Sequence, residues 1–185
     1  MISTTSIAPE KERLVHVVQG EYAVSGDPNT IMTTVLGSCV ATMLYDPNRG
    51  VGGMNHFLLP DNGGDDTRTA LFGVNLMELM INDLLKMGAT RSDLRAKLFG
   101  GACMLRNITN IGGRNAEFAK RFLADEGIPC LAESLGGEQA RRVRFWPTTG
   151  QAKQRLMPAD QIAPQEIAPK APPKRPAPSD DIELF

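Results

Sequence analysis

Two β-rich runs, one following a Gly-Ser pair and the other following a strong turn, constrain this chain more than any other feature. Val40 to Tyr45 is rich in residues that suit a pleated, buried surface. Asp46-Pro47-Asn48-Arg49-Gly50 then supplies turn chemistry, because Pro fixes φ while Asn and Gly tolerate positive values. The chain returns through Val51 to Leu59 and stops at Pro60. The pattern predicts a β-hairpin, preceded by a strand over Thr30 to Leu36 that runs into Gly37-Ser38. Cys39, one of three cysteines, and His56, one of two histidines, lie near the open end of this hairpin. Strand pairing allows two such side chains to meet.

A thiol with an ordinary pKa of about 8.5 is only a few per cent thiolate at neutral pH, and a neighbouring imidazole both activates it and later protonates a leaving group. Gly37 and Ser38 suit a tight turn in which backbone N–H groups converge on a developing oxyanion. Together these residues make a cysteine-hydrolase arrangement. The same residues also suit plain architecture: a free Cys beside an apolar run behaves as a small hydrophobe, and His56 between Asn55 and Phe57 suits a satisfied, half-buried ring. The other histidine, His16, lies in the alternating stretch Leu14 to Val18, where a solvent-facing or rim position is expected.

Leu36-Gly37-Ser38-Cys39-Val40, then Tyr45-Asp46-Pro47, then Gly53-Met54-Asn55-His56-Phe57-Leu58-Leu59-Pro60 resembles the CheD family, the chemoreceptor glutamine deamidases of bacterial chemotaxis. Further matches follow in order: Lys97 to Ala102, Asn110-Ile111-Gly112-Gly113-Arg114-Asn115, and Leu131 to Gly137. The resemblance runs from about His16 to Pro147. It implies a catalytic Cys, His and Thr, which fall on Cys39, His56 and, six positions before the Cys, Thr33; Thr34 is adjacent and chemically equivalent. It also implies an enzyme that converts glutamine side chains of methyl-accepting chemotaxis receptors to glutamate, with methylesterase activity as a side reaction and a CheC-type phosphatase as a further partner. A non-catalytic interaction module that binds receptors or such a phosphatase is the alternative. A hydrolase of some other small amide or ester is the third reading.

Composition narrows the rest. A net charge of −1 provides no electrostatic footprint for nucleic acid. No apolar run approaches the ~20 residues of a membrane helix, and Met1 to Thr5 lacks the layout of a signal peptide, which together predict a cytoplasmic protein without membrane insertion. Three widely spaced cysteines, Cys39, Cys103 and Cys130, fit a reducing compartment and argue against a disulfide framework or a zinc site. Neither a metal nor a cofactor is expected, because the Asn107 to Asn115 stretch lacks the spacing of a phosphate loop.

Along the chain, residues 1–13 are expected to be a flexible leader and 14–150 the folded domain. Leu71, Val74, Met77, Ile81, Leu84 and Leu85 form an apolar stripe within a helix predicted from about Thr67 to Lys86, with Gly88 as its cap. Ala96 to Phe99 and Ile128 to Glu133 are expected as buried strands; Cys103, beside the turn after the first and with no histidine nearby in sequence, and Cys130, inside the second, are expected to be structural. A second helix is predicted over Ala116 to Glu126, capped by Asn115. Arg141 to Trp146 alternates like a half-exposed strand. Strands against two helices give an α+β single domain, and the family resemblance implies packed β-sheets with helices on the outside. Seven of the 13 prolines lie between Pro158 and Pro178, so 151–185 is expected to be a disordered tail, with Asp180 to Phe185 a candidate docking peptide.

Overall fold

A computed structural model describes residues 11–59, 66–103 and 110–158, with only the backbone described for 66–71. Nine strands are seen among these residues: β1 (Arg13–His16), β2 (Glu21–Ser25), β3 (Thr30–Leu36), β4 (Val40–Asp46), β5 (Val51–His56), β6 (Arg95–Gly100), β7 (Cys130–Leu135), β8 (Arg141–Trp146) and β9 (Gln151–Leu156). The helices are α1 (Asp66–Lys86) and α2 (Ile111–Asp125). One sheet has the order β1-β3-β8-β9 and the other β2-β5-β4-β6-β7. The architecture is α+β, as expected.

The three layers follow from the alternation of side chains along β4, which is buried on both faces. Ala41, Met43 and Tyr45 point one way, joining Met32 and Leu36 of β3 with Val143 and Phe145 of β8 in a core between the two sheets. Val40 and Leu44 point the other way, joining Leu76, Met77, Met80, Ile81 and Leu84 of α1 with Phe118, Phe122 and Leu123 of α2. The predicted stripe on α1, from Val74 to Leu85, is therefore core, and Gly88, at φ 97°, closes the helix with hydrogen bonds from Gly88 N–H to the Leu85 carbonyl and from Ala89 N–H to the Leu84 carbonyl. No helix among the described residues is long and apolar enough to cross a membrane.

The predicted hairpin is β4 and β5, in antiparallel register with Met43 opposite Met54 and Asp46 opposite Val51. The Asp46 side chain fastens its turn by accepting from the N–H groups of Asn48 and Arg49.

Three expectations are corrected. The expected start of the tail at Gln151 falls on a strand: β9 spans Gln151–Leu156 and pairs along its length with β8, so the folded part reaches past residue 150. Its polar sequence is that of an edge strand with one free side, which is why it resembled solvated tail. The docking peptide at Asp180 to Phe185 lies outside the described residues. The second helix begins at Ile111, capped by Asn110, whose side chain accepts from the Gly113 N–H; Asn115 lies inside it, fully buried. Gly112 sits in its first turn because a Cβ there would lie 2.5 Å from the carbonyl oxygens of Gly101 and Ala102. Finally, β7 is an edge strand with mostly exposed side chains, and Cys130 within it is exposed rather than buried; Cys103 is exposed as well.

Candidate active site

Register decides which side chains converge. Val40 bridges Phe57 in continuation of the β4–β5 pairing, so Ala41 stands opposite His56 and Cys39 stands one step beyond. Cys39, Ala41 and His56 therefore share the face that points at the other sheet, with Cys39 and His56 as diagonal neighbours. Such neighbours are separated by about 7–8 Å between Cα atoms, a span that a long or aromatic side chain on one side covers. Both are buried, Cys39 at 3% exposure and His56 at 4%.

The His56 ring is held from the opposing sheet. Its Nδ1 lies 2.8 Å from the Thr34 hydroxyl on β3 and 3.4 Å from the Val17 carbonyl. A carbonyl only accepts, so these partners assign the proton to Nδ1 and leave Nε2 with its lone pair. Nε2 is buried and has no hydrogen-bond partner among the described residues. A buried nitrogen without a partner is uncommon and marks a position where a reacting proton can be received. Burial pushes the His56 pKa down to about 4, against the opposing pull of the Val17 carbonyl, so the ring is neutral at physiological pH.

The backbone before the sulfur is fixed carbonyl by carbonyl. Gly37 accepts from Ala102 N–H at 2.8 Å, and Cys39 accepts from Gly101 N–H at 2.7 Å. Ser38 accepts from the Asn115 side chain at 3.0 Å. Gly100 makes this approach possible: its φ is 115°, and a Cβ there would lie 2.1 Å from the Cys39 carbonyl oxygen. With three successive carbonyls committed elsewhere, the peptide planes of Gly37, Ser38 and Cys39 are set in one orientation.

Asn115 is the residue that sequence reasoning placed wrongly. Its Nδ2 holds Ser38 while its Oδ1 accepts from Leu59 N–H at 2.8 Å. One buried amide thus ties the segment just before Cys39 to the segment just after His56. The available signal was the Gly-Gly-Arg-Asn motif, which reads as loop unless the first turn of α2 is known to pack on Gly101-Ala102.

Thr33, the position the family motif selects, donates instead to the Val143 carbonyl at 2.7 Å within its own sheet, and Thr34 meets the ring. The two occupy alternate faces of β3, so one cannot do what the other does. His16 is exposed, as expected. Cys103 and Cys130 lie on other segments, and Cys130 donates to the Ala132 carbonyl of its own strand. Gln19, which the sequence did not single out, lies against the sulfur: the Cys39 thiol donates to its Oε1 at 3.5 Å.

Comparison with known proteins gives a consistent result. Residues 58–156 match the family model described as CheD chemotactic sensory transduction. The chain is 53% identical over 183 residues, covering 96% of both sequences, to a protein of Caulobacter vibrioides named a probable chemoreceptor glutamine deamidase CheD. Proteins of the same name from Acidiphilium cryptum and Agrobacterium fabrum are 48% and 49% identical, covering 100% and 92% of this chain. The relatives span Cys39 and His56, which the family-model match alone does not reach.

Two outcomes follow from the geometry. In the unfolded chain His56 takes a proton near 6.5, but in the folded chain only near 4, so between these values the unfolded state binds more protons and stability falls as pH falls. The expected loss is about 2 kcal/mol between pH 7 and pH 5, read from urea midpoints, and His56→Gln should remove that slope. Asn115→Leu keeps the volume but strands the Leu59 N–H and the Ser38 carbonyl. Urea unfolding should show a loss of about 2–4 kcal/mol, and a loss well under 1 kcal/mol would show that the bridge is dispensable.

Proposed function

The chain belongs to the CheD family, and from that premise we propose that it hydrolyses side-chain amides of glutamines on chemotaxis receptors, leaving glutamate and releasing ammonia, with Cys39 as nucleophile. One observation carries the assignment of roles: a buried imidazole on the same sheet face as Cys39, fixed at Nδ1 by Thr34 and Val17 and unpartnered at Nε2.

The chemistry runs in two halves. Nε2 of His56 takes the Cys39 thiol proton as the sulfur attacks the amide carbon, forming the C–S bond. The developing oxyanion lies against the backbone N–H groups of the Gly37-Ser38-Cys39 turn, whose peptide planes are already set and so need no reorganisation. The imidazolium returns the proton to nitrogen, the C–N bond breaks, and ammonia leaves a thioester. Water, deprotonated by the same Nε2, then cleaves the C–S bond to give the carboxylate and restore the thiol.

Thr34 is the positioning residue for the imidazole, the place an Asp or Asn takes in other triads. A hydroxyl adds no charge, which agrees with a ring kept neutral by burial. Receptor glutamyl methyl esters present the same acyl carbon with an alcohol leaving group, so methylesterase activity belongs to the same proposal. Each conversion places a negative charge on a receptor segment, and that charge is the signal-bearing product.

The test is the intact mass of a receptor cytoplasmic fragment after incubation with the protein. Each conversion raises it by about one mass unit, and Cys39→Ala should abolish the change. Thr34→Val should lower kcat on the order of 10²-fold while Thr33→Val retains most of it. The reverse ranking would move the positioning role to Thr33.

A further inference from the structure

The nucleophile of this site is already in contact with a glutamine. Gln19 lies in the turn between β1 and β2, and its Oε1 accepts from the Cys39 thiol at 3.5 Å. Gln19 is half-buried and Cys39 is 3% exposed, so the contact joins a partly exposed side chain to a buried thiol. The turn that carries it is pinned on both sides to the strands of the site. Val17 N–H donates to the Thr33 carbonyl at 3.0 Å, and Gly20 N–H donates to the His56 carbonyl at 2.7 Å. The Val17 carbonyl also meets the His56 ring. The backbone of the turn is therefore fixed relative to the imidazole, and the mobile part is the Gln19 side chain with its three rotatable bonds.

A substrate amide carbon must come within about 3–3.5 Å of the sulfur for attack. The Gln19 carboxamide occupies that space. Resting on the deamidase reading of Cys39, the geometry points to Gln19 as an internal surrogate that holds the carboxamide subsite, so that a substrate glutamine enters by exchanging one primary carboxamide for another. The physical advantage lies in the balance of hydrogen bonds. An apolar plug would lack this hydrogen bond to the thiol, and an open site would admit water and adventitious electrophiles. A carboxamide satisfies the thiol at rest and yields to an incoming group that makes the same contact, so exchange costs little. The observed contact is through oxygen rather than carbon, which is the geometry of a plug and not of an attacked amide. Gln19 thereby becomes a specificity-determining residue: a primary carboxamide side chain replaces it on equal terms, and an apolar side chain does not.

The test uses the full chain carrying Cys103→Ser and Cys130→Ser, which leaves Cys39 as its single thiol. The second-order rate of alkylation by iodoacetamide is followed by intact mass. Gln19→Ala should react about fivefold faster or more, and Gln19→Leu, which keeps the bulk without the amide, should react no faster than its parent. In receptor deamidation Gln19→Ala should lower KM and retain kcat, whereas Gln19→Leu should raise KM. Alkylation of Gln19→Ala at the parent's rate would overturn the inference. A collapse of kcat in Gln19→Ala with the fold intact would also overturn it, by making Gln19 part of the chemistry. A gain of about one mass unit on the Gln19 peptide, absent in Cys39→Ala, would overturn it as well, because the group would then be a substrate. If the parent deamidates no receptor, the deamidase reading fails, while the alkylation rates still decide whether Gln19 covers the thiol.

Discussion

The hydrogen bond between the Thr34 hydroxyl and His56 Nδ1 is the contact on which the rest of the site depends. It crosses from one sheet to the other through a core of methionine, leucine and phenylalanine side chains, where an unsatisfied ring nitrogen would be costly. By engaging Nδ1 it fixes the plane of the imidazole, while the Val17 carbonyl, which only accepts, sets the tautomer and leaves the Nε2 lone pair open. Burial completes the arrangement, holding the ring neutral at physiological pH and thus able to accept a proton.

The site is otherwise a consequence of one hairpin and the segments that clamp its open end. The β4–β5 register places Cys39 and His56 on one face, but the thiol lies just outside the regular ladder, where strand pairing no longer determines geometry. Its position is set from elsewhere: Gly101 and Ala102 bind the carbonyls of Cys39 and Gly37, and Asn115 binds that of Ser38. The start of α2 thus does for Cys39 what β3 does for the imidazole. That division of labour explains why a helix on the far side of the sheet from the thiol belongs to the frame around Cys39.

Much of this was legible in the chain. The turn at Asp46 to Gly50 and the alternation on either side of it specify the hairpin, and the hairpin places Cys39 and His56 on one face. The α1 stripe and its Gly88 cap were equally plain. What was not legible depends on parity or on long-range contact. Which of two adjacent threonines meets the ring depends on the alternation of β3 relative to a sheet that the sequence does not display. Asn115 looked like a helix cap because Gly112-Gly113 looked like loop, and only the close approach of Gly112 to Gly101 and Ala102 explains glycines inside a helix. β9 looked like tail because an edge strand with exposed side chains carries no apolar alternation. Gln19 carried no signal at all, since its meaning comes from Cys39, twenty residues away.

The measurement that tests the account most directly is the covalent state of Cys39 during turnover. A mixture of the protein and a receptor fragment, quenched in acid and analysed by intact mass and peptide mapping, should contain an adduct equal to the fragment less one ammonia, located on Cys39 and absent from Cys39→Ala. Receptor deamidation that proceeds with no such adduct, or with the adduct on another residue, would contradict the account.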